Sequence, residues 1–185
     1  SNSEINENKN VECSITAVAA NKGVYMLICG TGKNMDKCRS LVKELGCEDR
    51  IIFAGYRYDA KELLHGADAF IFPSRREGLG LAAIEAMAVG LPLIVSDNRG
   101  TREYAVNGEN AIVCEYNNIS QFINAVQLLS SDKELCRKLG ENGYRTAEKY
   151  SLENALDCMA DIYRSYIDIP ADSKTEVLSG EDKKV

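Results

Sequence analysis

The chain has 185 residues, of which 45% are apolar and 27% are charged, a composition typical of one globular domain with its own core. Its formal net charge of −6 argues against nucleic acid or an anionic membrane surface as the main partner. No apolar run approaches the roughly 18 residues of a membrane span, and no signal-peptide pattern opens the chain.

The cysteines predict the redox environment of the protein. There are seven, an odd number, and no two of them form a Cys-x-x-Cys pair. A disulfide framework or a zinc site is therefore not expected. Reduced, buried thiols are typical of the cytoplasm, so we predict a cytoplasmic protein without a metal site.

The first half of the chain predicts alternating helices and strands. Residues 1–10 are polar and contain no complete strand. The predicted elements are a helix over 11–20, a strand over 24–30, a helix from Met35 to Leu45, a strand over 50–56 and a short helix ending near Gly66. Asp59 and Glu62 have the spacing of a capping box for that short helix.

The second half continues the alternation. It predicts strands over 69–72, 92–96 and 111–114, a helix over 79–88 and a short helix over 100–105. Three helices follow, starting near Ser120, Ser131 and Ser151, each with the serine as the expected N-cap. From residue 170 the chain is polar and charged, and we expect a disordered tail, which leaves residues 1–169 as one domain.

Apolar strands that alternate with helices predict an α/β fold. The expected architecture is a Rossmann-like parallel sheet with helices on both faces, because strands that are apolar throughout must be covered twice. Such sheets bind ligands beyond the carboxyl ends of their strands. The segment 73–80, "PSRREGLG", lies at one of those ends and is the first candidate for a site.

Two kinds of residue in this segment and in the helix after it suggest that a ligand binds here. Gly78 and Gly80 would let a phosphate approach the positive end of the following helix, although they can also serve only a tight turn. Glu77 and Glu85 stand eight positions apart, and carboxylates beside a phosphate site are explained if they accept hydrogen bonds from sugar hydroxyls. The alternative is a helix-capping residue plus an exposed helical glutamate.

The residues around this turn resemble a known family. The stretch "FIFPSRREGLGLAAIEAMAVGLPLIVSDNRGTREYAVNGENAIV" resembles the donor-binding half of retaining GT-B glycosyltransferases, and more closely the group 1 (family 4) enzymes of bacterial polysaccharide synthesis. The family's E-x7-E pattern falls on Glu77 and Glu85, and "LICGTG" and "DRIIFAGY" match upstream segments in the expected order. The resemblance covers about residues 4 to 167.

The resemblance implies roles for individual residues. Glu77 would be the catalytic residue and contact hydroxyls of the transferred sugar, while Glu85 would bind the ribose hydroxyls. The main-chain amides that would hold the diphosphate or the sugar belong to Gly78, Leu79, Gly80 and Leu81. The residues expected against the base are Tyr56 and Arg57, and those expected to line the cleft are Gly30, Thr31 and Gly32.

The positive charge expected beside the diphosphate is incomplete. Lys9 fits the family's lysine, but Glu4 stands where many relatives carry an arginine. Either Arg75 or Arg76 assists Lys9, or phosphate binding depends more on the helix end. The alternative for the arginine pair is a solvated turn. The family implies neither an obligatory metal nor a cofactor other than the nucleotide-sugar substrate.

The resemblance also implies what the chain does. The leading hypothesis is a transferase that moves a sugar, from a UDP-sugar, to a saccharide or lipid-linked acceptor in capsule or lipopolysaccharide synthesis. This chain would then be an excised C-terminal half with most of its first strand missing, and its parent enzyme would be peripheral to the inner membrane face. Its partners would be the nucleotide-sugar and an N-terminal acceptor domain, and the isolated half is expected to be inactive. The alternatives are a non-catalytic nucleotide-sugar-binding subunit and, less favoured, a sugar-nucleotide epimerase.

Overall fold

The computed structural model describes residues 3–167, which form six strands and seven α-helices in alternation. The strands are β1 (Ser3–Glu4), β2 (Met26–Thr31), β3 (Ile51–Gly55), β4 (Phe70–Phe72), β5 (Leu93–Ser96) and β6 (Ala111–Cys114). The helices are α1 (Val11–Ala19), α2 (Met35–Glu44), α3 (Ala60–His65), α4 (Leu81–Ala88), α5 (Ile119–Ser131), α6 (Lys133–Ala147) and α7 (Leu152–Ile167). Short 3-10 helices cover Thr101–Glu103 and Glu148–Tyr150.

All pairings between the described strands are parallel, which confirms the predicted fold class. The strands form two three-stranded sheets, in the orders β1-β2-β3 and β4-β5-β6. Strand β1 pairs with β2 over two residues only, and the loop after it hydrogen-bonds to the turn after β4. The carboxyl ends of β1 and β4 therefore lie close together.

Helices cover both faces of the second sheet. In β5, Ile94 packs in one core with residues of α1, α5 and α6. Because side chains alternate along a strand, Leu93 and Val95 face the opposite side, and both are fully buried. Helix α4 packs against α6, with Met87 about 3.5 Å from the position of a Cβ on Gly143. A second core joins α1 and α2 to β2 and β3.

Three of the predicted helix caps are wrong. The carboxylate of Asp59 makes no capping bond to α3, because the guanidinium of Arg57 binds both of its oxygens. Ser120 and Ser131 lie inside α5, and the side chains that cap α5 and α6 belong to Asn118 and Asp132. The predicted cap at Ser151 is confirmed, since its hydroxyl accepts a bond from the amide of Asn154.

The chain divides into two compact units, one ending at Glu148 and one beginning at Lys149. In the second unit, α7 carries apolar residues along one face, at Leu152, Leu156, Met159 and Tyr163. The assignment of residues 1–169 to one domain stays a prediction, and the predicted tail from residue 170 lies outside the described residues. Within residues 3–167, no helix is both long and apolar enough to cross a membrane.

Candidate functional site

The segment between β4 and α4 is a tight turn that requires a glycine at its end. Helix α4 begins at Leu81, two residues later than predicted, and Gly80 precedes it in the left-handed conformation, with φ +83°. A Cβ on Gly80 would lie 2.9 Å from the Phe72 ring and 3.0 Å from the Tyr104 hydroxyl oxygen, so the turn itself needs this glycine. At Gly78, no atom of the described residues would lie within 4 Å of a Cβ, and a ligand can approach the main chain there.

The structure brings Lys9 and Glu77 together at this turn. The ammonium of Lys9 donates a hydrogen bond of 2.6 Å to Oε1 of Glu77, and the two side chains are only 23% and 12% exposed. The same ammonium lies 5.2 Å from the centre of the Phe72 ring. A half-buried charge pair at the carboxyl ends of parallel strands is suited to polar, charged ligands, because each partner keeps free hydrogen-bonding capacity.

Two asparagines that the sequence analysis did not single out place Lys9 against the turn. The side chain of Asn8 pairs with the main chain of Arg76 in both directions, at 2.9 and 3.1 Å. The side chain of Asn10 donates to the carbonyls of Pro73 and Tyr116, both at 3.2 Å. The signal in the sequence was the alternation of asparagines in "INENKN", which is typical of side chains that replace a regular ladder.

The loop after β5 supports the turn from another side. Nδ2 of Asn98 donates to the carbonyl of Ser74 at 3.0 Å, and Asn98 is almost fully buried. Gly100 lies so close to Glu77 that an added Cβ would be 2.8 Å from the Glu77 carbonyl oxygen. The position of Glu77 therefore depends on two loops as well as on its own segment.

Of the three residues Gly30, Thr31 and Gly32 at the carboxyl end of β2, one is exposed. Gly30 is buried, and a Cβ on Gly32 would overlap the main chain of Ile5, so these two residues are needed for packing. Thr31 is exposed at the end of the strand. Of the three residues predicted to line the cleft, Thr31 is the one whose side chain is available to a ligand.

The side chain of Tyr56 is exposed, whereas that of Arg57 is held by hydrogen bonds. Tyr56 is 60% exposed and meets the Tyr58 ring edge-on, with 5.2 Å between ring centres. The guanidinium of Arg57 is bound by Asp59 through bonds of 2.8 and 2.5 Å, and these bonds hold the pKa of the Asp59 carboxyl below its usual value. The surface predicted to meet a base thus presents an exposed aromatic ring beside a fixed guanidinium.

The remaining predicted residues lie on or near α4. Glu85 is exposed, between the buried residues Ile84 and Ala86. Leu79 is half-buried in the turn and Leu81 is 64% exposed at the start of the helix. The N–H groups of this first turn are the ones that an α-helix leaves without helical partners.

The candidates for a second cation are exposed side chains. Glu4, at the position of the expected arginine, lies in β1 opposite Thr31. Arg75 borders a cavity of about 380 Å³ formed with the first residues of α1 and α5, and neither Lys9 nor Glu77 lines it. Arg76 is exposed and its main chain is bonded to Asn8. Among residues 3–167, no group of three His, Cys, Asp or Glu side chains is arranged to hold a metal ion.

Solved structures that share this fold include glycosyltransferases. The chain superimposes on Anabaena HepE, solved in complex with UDP-glucose, with a TM-score of 0.84 at 21% identity over 89% of this chain and 47% of that one. It also matches the C-terminal domain of the group 1 glycosyl transferase LpcC from Francisella tularensis, with a TM-score of 0.72 at 28% identity, covering 80% of this chain and 83% of that one. The fold is therefore that of the C-terminal domain of GT-B glycosyltransferases.

Sequence comparison gives the family. Residues 2–146 match the family described as glycosyl transferases group 1, and the chain belongs to it. It is 35% identical to the protein named as glycosyltransferase EpsD of Bacillus subtilis (strain 168), over 93% of this chain and 46% of that protein. It is 29% identical to the lipopolysaccharide core biosynthesis glycosyltransferase LpsE of Rhizobium meliloti (strain 1021), over 86% of this chain and 47% of that protein. The chain thus spans about half the length of the curated relatives it matches.

Proposed function

We propose that this chain binds the donor of a retaining glycosyltransferase that uses a UDP-sugar in bacterial polysaccharide synthesis. The observation that carries the proposal is the Lys9–Glu77 pair, which lies at the open turn before α4 with a carboxylate and an ammonium side by side. A nucleotide-diphosphate sugar needs both, because its sugar offers hydroxyl donors and its diphosphate offers anionic acceptors.

Each half of the pair has a separate task in the proposal. Glu77 accepts hydrogen bonds from hydroxyls of the transferred sugar. The Lys9 ammonium has three N–H donors. One of them is bonded to Glu77, so the other two are available to the diphosphate. The N–H groups at the start of α4 and the positive end of its dipole add to the charge that stabilises the leaving diphosphate.

The transfer itself exchanges one bond at the sugar's anomeric carbon for another. The bond from that carbon to the diphosphate oxygen breaks, and a bond to the acceptor hydroxyl oxygen forms on the same face of the ring. The acceptor proton leaves to the departing phosphate oxygen. The positive charge of Lys9 and of α4 favours this step because negative charge develops on the diphosphate as the bond breaks.

The nucleoside end of the donor is assigned to residues on either side of the turn. Glu85, exposed on α4, binds the ribose hydroxyls. Tyr56 contributes an exposed ring for the base, and Arg57 is held in place beside it by Asp59. UDP is preferred as the nucleotide because crystal structures of HepE and TarM, which share the fold, are complexes with UDP.

The acceptor and its surroundings belong to the same proposal. LpsE acts in lipopolysaccharide core biosynthesis, and we infer a saccharide or lipid-linked acceptor of that kind, in capsule or lipopolysaccharide synthesis. Because the chain spans about half the length of its relatives, we assign the acceptor to an N-terminal domain outside these 185 residues. Such an enzyme would work in the cytoplasm, at the inner face of the membrane.

The proposal is tested by nucleotide binding to the 185-residue chain. Titration with UDP, UDP-glucose and GDP, followed by ¹H–¹⁵N NMR, detects weak binding and maps it onto residues. We expect shifts in the amides of 77–82 with UDP ligands and a weaker response in Glu85→Gln. Glu44→Gln is the matched control, because Glu44 is an exposed helical glutamate at the far end of α2. Absence of nucleotide binding, or equal effects of the two variants, would contradict the proposal.

We also expect the 185-residue chain to bind donor weakly and to transfer no sugar. Holding an acceptor in line with the donor can contribute roughly 7–11 kcal/mol of the barrier, and the chain offers the donor side alone. Transfer to a saccharide acceptor at a rate near that of a two-domain relative would show that the acceptor site lies within this chain. The measurement is release of UDP with product analysis by mass spectrometry.

A further inference from the structure

A buried polar cluster lies beneath the turn that carries Glu77. It consists of the main-chain carbonyl of Ser74, just after β4, and of three side chains from the end of β5 and the loop after it. All four residues are at most 7% exposed: Ser74, Ser96, Asn98 and Thr101. Buried polar groups are costly unless they are bonded, and once bonded they hold their neighbours in one arrangement. None of these residues belongs to the donor contacts assigned above.

Asn98 is the centre of this cluster because its side-chain amide both accepts and donates hydrogen bonds. Oδ1 accepts bonds from the amides of Gly100 and Thr101, at 3.0 and 3.1 Å, which fixes the loop that Asn98 itself belongs to. Nδ2 donates to the carbonyl of Ser74 at 3.0 Å, which reaches across to the segment after β4. One side chain therefore ties the two loops together.

The loop that Asn98 fixes lies directly against Glu77. A Cβ at Gly100 would be 2.8 Å from the Glu77 carbonyl oxygen and 3.0 Å from its Cβ. Gly100 therefore contacts Glu77 directly, and Ser74 precedes Glu77 by three residues in the same segment. Asn98 bonds the main chain of both residues, and the Ser96 hydroxyl donates to the Ser74 carbonyl as well.

We propose that Asn98 is a positioning residue, which places the Glu77 carboxylate where it meets Lys9. The catalytic meaning of this placement rests on the proposed function, whereas the placement itself can be tested without any ligand. Asn98 does not touch the Lys9–Glu77 pair. It acts through Gly100, which contacts Glu77, and through Ser74, which belongs to the same segment as Glu77.

Substitutions can separate the hydrogen bonds that the Asn98 amide accepts from the one that it donates to Ser74. Asn98→Asp keeps an acceptor for Gly100 and Thr101 but removes the donor to Ser74, and it places a carboxylate oxygen against a carbonyl. Gly100→Ala changes the contact with Glu77 only, because Gly100 has φ −70° and ψ −40°, where alanine is unstrained.

Matched controls are available for both variants. Asn110 is also buried, at 3% exposure, and also accepts from a main-chain amide, that of Val106, and donates to a carbonyl, that of Tyr104. Asn110→Asp therefore imposes the same chemical change without touching residues 73–80. Gly66→Ala is the control for Gly100→Ala, since the nearest atom to a Cβ there is 3.7 Å away.

The first measurement is the NMR signal of the Lys9 ammonium in the ligand-free chain, assigned by its loss in Lys9→Gln. A hydrogen-bonded ammonium exchanges slowly with water, so we expect a protected signal in the wild type and its loss in Glu77→Gln. Asn98→Asp and Gly100→Ala should also lose it, while Asn110→Asp and Gly66→Ala keep it. An unprotected signal in the wild type, or protection retained in Asn98→Asp and Gly100→Ala, would overturn the proposal.

The second measurement compares UDP-glucose with UDP. Because Glu77 is assigned to the sugar, Asn98→Asp and Gly100→Ala should weaken binding of UDP-glucose by about tenfold, the size expected for the loss of one hydrogen bond, and change UDP binding little. Equal losses for both ligands would mean that Asn98 is merely structural and would reject the positioning role. If the wild type binds neither ligand, the proposed function fails, and the ammonium signal still decides the placement of Glu77.

Discussion

At the scale of single residues, the two glutamates of the turn and helix differ in their surroundings. Glu77 is 12% exposed and bonded to Lys9, whereas Glu85 is exposed on α4. A largely buried carboxylate that is bonded to a cation is held in one orientation, whereas an exposed carboxylate on a helix is accessible to a ligand from solvent. The two residues should therefore affect binding and turnover differently.

Substitution of each glutamate by glutamine tests this difference. Glu85→Gln should weaken UDP binding by about 1.5–3 kcal/mol, because a charge-assisted hydrogen bond to the ribose is lost. Glu77→Gln should leave UDP binding unchanged and lower transfer by the full-length enzyme, because the group faces the sugar. Calorimetry with UDP and steady-state kinetics measure the two effects. Loss of UDP affinity in Glu77→Gln with unchanged turnover would mean that Glu77 binds the ribose and Glu85 the transferred sugar.

Substitution of Ser74 tests how the buried cluster contributes to the free energy of unfolding. Its Oγ is fully buried and has no hydrogen-bond partner among the described residues, while its carbonyl holds the contacts that matter. A buried hydroxyl without a partner costs about 1–3 kcal/mol, so Ser74→Ala should raise the free energy of unfolding or leave it unchanged. Urea denaturation measures this. A clear loss of stability would mean that the hydroxyl has a partner that contributes to folding.

At the scale of secondary-structure elements, the end of α1 is bonded by Arg50, the residue that precedes β3. The guanidinium of Arg50 donates to four carbonyls at and just beyond the end of α1, those of Val18, Ala19, Asn21 and Val24, at 3.0–3.3 Å. The carbonyls of Val18 and Ala19 belong to the last turn of α1, where an α-helix lacks its own donors, and those of Asn21 and Val24 lie in the loop that follows. Arg50 therefore joins α1 to the first sheet.

Removal of this guanidinium should be costly. Arg50→Ala should lower the free energy of unfolding by about 2–3 kcal/mol, and Arg50→Lys should recover only part of it, because an ammonium cannot span four carbonyls. Arg137→Ala is the control: Arg137 bonds two exposed glutamates, and surface pairs contribute about 0–1 kcal/mol. Urea denaturation of the three variants compares them. Equal losses at positions 50 and 137 would contradict this role for Arg50.

The sequence predicted the order and type of these elements well, and their caps poorly. Periodicity and apolar runs are local, so strands such as 92–96 and helices such as 35–45 could be found within one or two residues. The predicted cap at Asp59 is wrong because Arg57, two residues earlier, binds the same carboxylate. A cap depends on which of several nearby polar side chains the main chain brings into range.

The candidate site shows the same limit over a longer distance. The pattern of Glu77 and Glu85 and the fit of Lys9 could be found from sequence because the family carries them in order. The partners of Asn8 and Asn98 could not, since they are 68 and 24 residues away along the chain; the alternating asparagines around Asn8 indicate bonds to main chain but not to which residue. Such contacts are determined by tertiary structure, where no local pattern indicates which asparagine will meet which carbonyl.

At the scale of the whole molecule, the thiols are distributed between core and surface. All seven are free, and four are buried: Cys13, Cys38, Cys47 and Cys114. Burial raises the pKa of Cys13 to about 12, and those of Cys38 and Cys114 to about 11. Cys158, on α7, is exposed. The buried thiols are therefore poor nucleophiles at neutral pH and act as small apolar side chains of the two cores.

Because these pKa values are raised in the folded protein, the free energy of unfolding should decrease at alkaline pH. Below pH 9 the thiols are protonated in both states and add no pH dependence. Between pH 9 and about 11–12 the unfolded chain loses thiol protons that the folded chain keeps, so the free energy of unfolding falls as pH rises. Each buried thiol contributes up to about 1.4 kcal/mol per pH unit in this range.

Comparison of variants isolates this effect from the titration of tyrosines and lysines. Cys13→Ala should be less stable than the wild type at pH 8, because it leaves a small cavity, yet its stability should fall less steeply between pH 9 and 11. Cys158→Ala should keep the wild-type slope, since its thiol is exposed in both states. Urea denaturation at half-unit pH intervals measures the slopes. If Cys13→Ala and the wild type lose stability equally from pH 9 to 11, the Cys13 thiol titrates in the folded protein as it does in water, and the core around it admits solvent.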